Sequence, residues 1–268
     1  MSTVQPARES WFQRRLASSR AAFFVSLAVL LLAAAPAFGQ QTFVTRFDAF
    51  TGYTYLNSPH VGLAENGFHF QAGVRPKAWY SLGVDYSVSA GDLTLTPDLL
   101  LPSIQQTLGA QLAYLAAVGK LPSGYALAVP VHSRTQTFAA GPQLAYRHFS
   151  AVTLFLRPDL GAMHEVATPH ASASDPIAQG VVASLAPTGE KTDSVVFYGV
   201  GAGADFNVSK HVGLRVQVDV VHDHMFDDLL KDSRNTVRFS IGPCFNFGLS
   251  PGNVTHMRWK SKRCMVMA

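Results

Sequence analysis

Residues 212–220 read VGLRVQVDV and residues 237–247 read VRFSIGPCFNF. In the first stretch Val212, Leu214, Val216, Val218 and Val220 alternate with Gly213, Arg215, Gln217 and Asp219. In the second, Val237, Phe239, Ile241, Pro243, Phe245 and Phe247 alternate with Arg238, Ser240, Gly242, Cys244 and Asn246. Successive side chains of a strand point to opposite faces, so a period of two sorts these residues into one apolar and one polar face. A helical period of 3.6 would mix them. An apolar outer face over a polar or small inner face is what a membrane-spanning barrel strand requires.

Six further segments follow the same template with more noise. Tyr198, Val200, Ala202, Ala204 and Phe206 oppose Gly199, Gly201, Gly203 and Asp205. Val152, Leu154, Leu156, Leu160 and Ala162 oppose Thr153, Arg157, Asp159 and Gly161. Segments near 138–147, 80–88 and 68–75 repeat the pattern, and 46–55 shows it most weakly, with Phe47, Ala49, Thr51, Tyr53 and Tyr55 outward. The connections alternate. They are tight at 76–77, 148–150 and 207–210, and long at 57–66, 89–134, 165–193 and 222–234. The expected fold is all-β: an eight-stranded antiparallel transmembrane β-barrel, with both chain ends on the tight-turn side. Pro142, Pro158 and Pro243 fall inside strands, where a missing donor predicts local bulges.

Two long connections carry helical patterns. PSIQQTLGAQLAYLAAV (102–118) spaces Ile104, Leu108, Leu112 and Leu115 on one face, with Pro102 at its start and Gly119 at its end. DPIAQGVVASL (175–185) opens with Asp175 as a cap and Pro176 just inside. Each apolar face needs a partner: the other helix, the barrel mouth or the membrane surface.

The ends differ from the middle. Arg8, Arg14, Arg15 and Arg20 precede an apolar run from Ala21 to Ala35 and small residues near Gly39, the three parts of a secretory signal. The expected division is a signal peptide at 1–39, a barrel at 40–248 and a disordered basic tail at 249–268. The formal charge of +4 belongs to these ends, because the segment between them holds more acid than base. Nucleic-acid binding would need basic residues clustered on the folded part and is not expected. Two cysteines, Cys244 and Cys264, make no disulfide scaffold.

FTGYTYLN (50–57), AWYSLGVDYS (78–87), FAAGPQLAYR (138–147), VTLFLRPDLGAMH (152–164), FYGVGAGADFNVSKHVGLRVQVDVV (197–221) and NTVRFSIGPCFNFG (235–248) resemble the outer-membrane β-barrel domain family of small bacterial barrels. The resemblance covers about residues 42–248. It implies export to the bacterial outer membrane, contact with outer-membrane lipid and recognition by the barrel-assembly machinery. It implies no shared catalytic residues. In the family the chain tends to finish with its last strand. Here residues 249–268 follow Phe247-Gly248.

The inward faces hold both signs. A luminal charge network is expected from Arg75, Asp85, Arg147, Arg157, Asp159, Asp205, Arg215, Asp219 and Arg238, joined by Asp48 and His69. Two roles are open: a plug of paired charges, or the walls of a narrow path for ions or small solutes. His222, Asp223, His224, Asp227, Asp228 and Asp232 near the last long connection suggest a metal or hydrolytic site as a third reading, set against a solvated acidic loop. No nucleophile elbow, zinc-protease motif or phosphate loop occurs in the sequence. No catalytic residue, metal site or cofactor is therefore expected. The expected role is structural or surface interaction, with any extracellular ligand met by the loops at 89–134 and 165–193.

Overall fold

The computed structural model describes residues 44–231 and 234–249. The expected signal segment and all of the tail beyond Leu249 lie outside them. Strands β1 (Phe47–Ser58), β2 (Leu63–Lys77), β3 (Tyr80–Leu95), β4 (Val129–Tyr146), β5 (Val152–Pro169), β6 (Lys191–Asn207), β7 (Val212–Asp223) and β8 (Arg234–Phe247) follow in chain order. Each pairs antiparallel with the next, and β1 closes on β8. A sheet closed on itself leaves no edge of bare amides, which lipid could not satisfy.

The faces divide as the alternation demands. Phe68, Leu160 and Tyr198 are 72%, 62% and 61% exposed, whereas inward Arg215 is 1% exposed. The apolar outer band runs on β7 from Val212 to Val220 and on β3 from Tyr80 to Val88. Beyond it the outward residues turn polar, as at Asp92, His132, Arg134 and His164, yet the strands continue. The long connections therefore shrink to 59–62, 96–128, 170–190 and 224–233. The sequence expectation ended each strand where its outer face stopped being apolar. Pairing outlasts that point because the inner face stays buried.

The expected bulges at the three prolines are absent. Pairing of β4 with β5 stops at Ala140↔Leu160 and resumes at Leu144↔Leu156, with equal lengths skipped on both sides. Pro142 and Pro158 thus stand opposite each other, and neither brings an N–H to the seam. The β1–β8 ladder likewise skips Thr51–Gly52 against Gly242–Pro243 without a change of register. A register shift does occur in β2, between Val74 and Lys77 beside the first tight turn.

Two helices stand in the long connections. α1 (Pro102–Ala117) starts on its proline and ends before Gly119, whose φ of 68° lets its N–H and that of Lys120 turn back to Ala116 and Leu115. α2 (Pro176–Leu185) is capped by Asp175, which accepts from the N–H groups of Ile177 and Ala178. Leu108 of α1 and Val181 of α2 join one apolar cluster with inward Leu63, Val129 and Val131 at the barrel mouth. α2 and the first half of α1, through Ile104 and Leu108, take the mouth; Leu112 and Leu115, expected on the same face of α1, are half-buried and do not join this cluster. Met225, Phe226 and Leu230 of the 224–233 connection complete this cap.

Candidate luminal network and cap

The alternation that faces apolar residues outward stacks polar ones along the bore. At the tight-turn end Arg75 donates to Thr45 (3.2 Å) and Asn246 (2.8 Å) and lies 3.5 Å from Asp48. Asp48 is also 3.5 Å from Arg215. Arg215 donates through Nε and Nη2 to the two oxygens of Asp205, at 2.6 and 2.9 Å, and through Nη1 to Gln71 at 2.7 Å. Its guanidinium carbon sits 4.8 Å from the Phe155 ring centre and 5.6 Å from that of Phe50. Guanidinium groups stack on aromatic faces in this way while keeping their in-plane donors free for carboxylates.

The chain of contacts continues upward. Gln71 donates to Gln217 (2.9 Å), and Gln217 donates to Asp219 (2.6 Å). Arg238 bonds Asp219 at 2.9 Å, Ser87 at 3.1 Å and Asp85 at 3.4 Å. Arg157 bridges Asp85 and Asp159, the latter at 2.6 Å. His69 sits within this layer, its Nδ1 2.9 Å from the Ser240 hydroxyl. Arg147 lies lower than expected, half-buried at the tight-turn mouth, where it donates to the Ala78 carbonyl (2.8 Å) and to Thr153 (3.1 Å). Cys244 is a buried free thiol on the same inner face.

A second polar layer was not expected from the sequence. Above the apolar outer band, Glu165 accepts from Ser133 (2.8 Å) and Arg234 (2.8 Å), and Arg234 also holds Asp223 at 3.0 Å. Glu65, wholly buried, accepts from the hydroxyls of Ser89 (2.7 Å) and Thr135 (3.0 Å). The layer sets three carboxylates against the one guanidinium of Arg234 among the described residues. All of its members but Thr135 fall in stretches read as loop, because the outer face there is polar and the alternation of character is lost.

The cap closes over this layer. Leu100 bridges to Leu230, Leu101 donates to the Leu229 carbonyl (2.9 Å) and Lys231 to that of Leu99 (3.0 Å), so the 96–128 and 224–233 connections are laced together. Phe226 adopts a φ of 55°, and its N–H donates to Asp193 at 2.6 Å. Lys191 pairs with Asp228. Tyr125 donates to both oxygens of Asp175, at 3.1 and 2.9 Å. The Ala178 N–H above all holds the Asp175 carboxyl below its usual range, while burial and Asp175 push the Tyr125 phenol up to about 12.

The His and Asp residues of the third reading do not converge. His222 faces outward, 2.9 Å from Asn235 and packed against His224, whereas Asp223 points inward to Arg234. Asp227 and Asp228 are exposed, and Asp232 lies outside the described residues. Among the described residues no three His, Cys, Asp or Glu side chains are grouped to hold a metal.

No protein-family model and no curated protein sequence matches the chain. Solved structures similar to it include Neisserial surface protein A, at 13% identity and a TM-score of 0.46 over 75% of this chain and 96% of that one. They also include OprG from Pseudomonas aeruginosa, at 8% identity and a TM-score of 0.45 over 79% and 100%, respectively. Ail of Yersinia pestis aligns at 13% identity and a TM-score of 0.40 over 76% and 99%. These are likenesses of fold. The membrane-spanning architecture rests on this chain's own closed pairing and apolar outer band.

Proposed function

We propose that the chain is an integral protein of the bacterial outer membrane with a sealed lumen, whose function is carried by its extracellular cap. The observation that supports this reading is the continuity of side-chain contacts from Arg75 through Arg215, Arg238 and Arg157, topped by the Glu165–Arg234 layer and the apolar cap. An eight-stranded barrel has an interior that side chains just fill. A space of about 10 Å³ beside Asp48, Gln143, Arg157 and Arg215 has the room of one water. Ion passage would require several buried pairs to separate at once, each at a cost of several kcal/mol.

With the bore occupied, the ordered surface left for recognition is the cap of α1, α2 and the 224–233 connection. Loops held on a rigid scaffold are where binding residues gather. The ligand contacts expected over 89–134 and 165–193 narrow to 96–128 and 170–190, since the flanking residues are strand.

Cysteine labelling in intact cells tests this placement. In a Cys264→Ser background, Ser123→Cys in the cap should react with a membrane-impermeant maleimide, and Ser209→Cys at a tight turn should react only after permeabilisation. Labelling of Ser209→Cys in intact cells, or of neither site before lysis, would refute it.

A further inference from the structure

The outer wall of the barrel is not evenly filled. Phe70, Tyr86 and Phe138 are direct cross-strand partners on β2, β3 and β4, and all three rings face outward. The next outward row toward the tight turns is Ala72, Val84 and Ala140. The rings project farther than these smaller side chains, so the wall steps inward beneath them. Phe47, stacked on Phe247 with ring centres 5.7 Å apart, bounds the step on the β1 side. The result is an open groove of about 650 Å³, which Val74, Leu82 and Pro142 also line. Sites for small molecules span ~300–1,000 Å³.

Two exposed cations stand at the foot of the groove. Arg46 directly precedes Phe47, with its guanidinium carbon 5.9 Å from that ring centre. Lys77 follows Val74 at the β2–β3 turn, with Nζ 5.7 Å from the centre of the Trp79 ring. Such seating keeps the charge at headgroup depth, with the stem along apolar surface. Among the described residues no carboxylate is exposed at this rim, where Asp48 and Asp205 are buried with luminal arginines. Thr51 pairs with Phe70 and so marks the level of the aromatic row on β1. From there to Arg46 the strand runs about 17 Å at a tilt of some 40°, a descent of about 13 Å, or half of a ~25 Å apolar band. The groove therefore spans the acyl region of one leaflet, with the cations at its headgroups.

We propose that this groove is a specific site for one anionic phospholipid of the leaflet on the tight-turn side, an acyl chain lying beneath the aromatic row and the phosphate beside Arg46 and Lys77. The charge of the rim selects the headgroup, since basic residues beside a membrane attract anionic lipid. A zwitterionic headgroup would bring its own ammonium to the same cations. A second copy of the chain does not fit the groove. Two barrels in one membrane share an orientation, so a two-fold axis along the membrane normal brings equal heights together. The aromatic row would then meet its own counterpart and hold the two grooves apart.

The test uses the folded chain in bilayers of phosphatidylethanolamine and phosphatidylglycerol in equal amounts, transferred to mild detergent and weighed intact by native mass spectrometry. One phosphatidylglycerol per chain should be retained, several-fold in preference to phosphatidylethanolamine. Filling the groove with Ala72→Phe and Ala140→Phe should abolish retention. Ala202→Phe and Ala204→Phe, outward on β6, should leave it unchanged. Arg46→Gln with Lys77→Gln should remove the preference for phosphatidylglycerol. A heat-dependent gel shift confirms that each variant is folded. Equal retention of the two lipids by the unaltered chain, or of neither, would overturn the proposal. So would a lipid that survives filling of the groove, an equal loss from the β6 variant, or a dimer in place of the lipid adduct. The measurement on the unaltered chain decides the matter even if a variant fails to fold.

Discussion

Arg215 on β7 and Asp205 on β6 are direct cross-strand partners, joined by two parallel hydrogen bonds of 2.6 and 2.9 Å. Fork-to-fork pairing of this kind combines charge with fixed geometry. The pair is buried, and Phe50 and Phe155 flank its guanidinium. Replacing Arg215 with Met leaves Asp205 and Asp48 without their shared cation, and should lower stability by about 3–5 kcal/mol. Adding Asp205→Asn should recover part of that loss. Urea unfolding of the refolded barrel, followed by tryptophan emission, measures both. Equal loss in the single and double variants would show that the pair is not coupled.

The Glu65–Glu165 layer makes an opposite pair of predictions. Glu65 rests on two hydroxyls, which can turn to serve an amide, so Glu65→Gln should be neutral or stabilising by ~1 kcal/mol, since it relieves an uncompensated buried charge. Arg234→Gln removes the cation from Glu165 and Asp223 and should cost about 3–5 kcal/mol. The same unfolding measurement ranks the two. Loss of stability on Glu65→Gln would mean that its charge is held by something other than those hydroxyls.

Gly201 tests how tightly the bore is packed. A Cβ there would stand 2.0 Å from Asp219 Oδ1, which already accepts from Gln217. Gly201→Ala should therefore cost about 1–3 kcal/mol by displacing the Asp219–Arg238 pair. Gly180 in α2 has open space around its added Cβ, so Gly180→Ala should instead stabilise the helix by ~0.5–1 kcal/mol. Comparable effects at the two sites would argue against a packed lumen.

The cap has its own pH dependence. Asp175 is held below its usual range by the Ala178 N–H, so its contribution is present above the unfolded carboxyl value and lost as pH falls through the lowered one. The Tyr125 phenol, raised to about 12, contributes as a neutral donor below its unfolded value and is lost as pH rises through the folded one. Protection of the α2 amides, taken as exchange relative to the intrinsic rate at each pH, should accordingly be greatest between these limits. Asp175→Ala should speed exchange at neutral pH and flatten its acid limb. A flat profile in the unaltered chain would remove the cap from Asp175.

The faces of all eight strands were legible because lipid imposes a period of two that few other environments sustain. Val212 to Val220 and Tyr80 to Val88 show it over their full length. Asn66, Asp92 and His132 mark where it fades, since there water accepts any outward side chain while the inner face stays buried. Glu65, Glu165 and Arg234 were missed for that reason. Phe50 and Phe155 were missed because inward aromatics break the polar side of the pattern, and only the cross-strand register brings them around Arg215. The prolines pointed to bulges when each was considered alone. Their effect depends on the facing strand, where Pro158 meets Pro142 and the ladder skips both.

The sealed lumen is tested most directly by the conductance of the folded chain in a planar bilayer, with insertion confirmed by the heat-dependent gel shift of protein recovered from the same vesicles. The predicted result is a silent membrane that stays silent across a range of voltage. Discrete, reproducible, ion-selective steps, altered by charge reversal at Arg157 or Asp219, would contradict it and reassign the luminal charges as the walls of a pore.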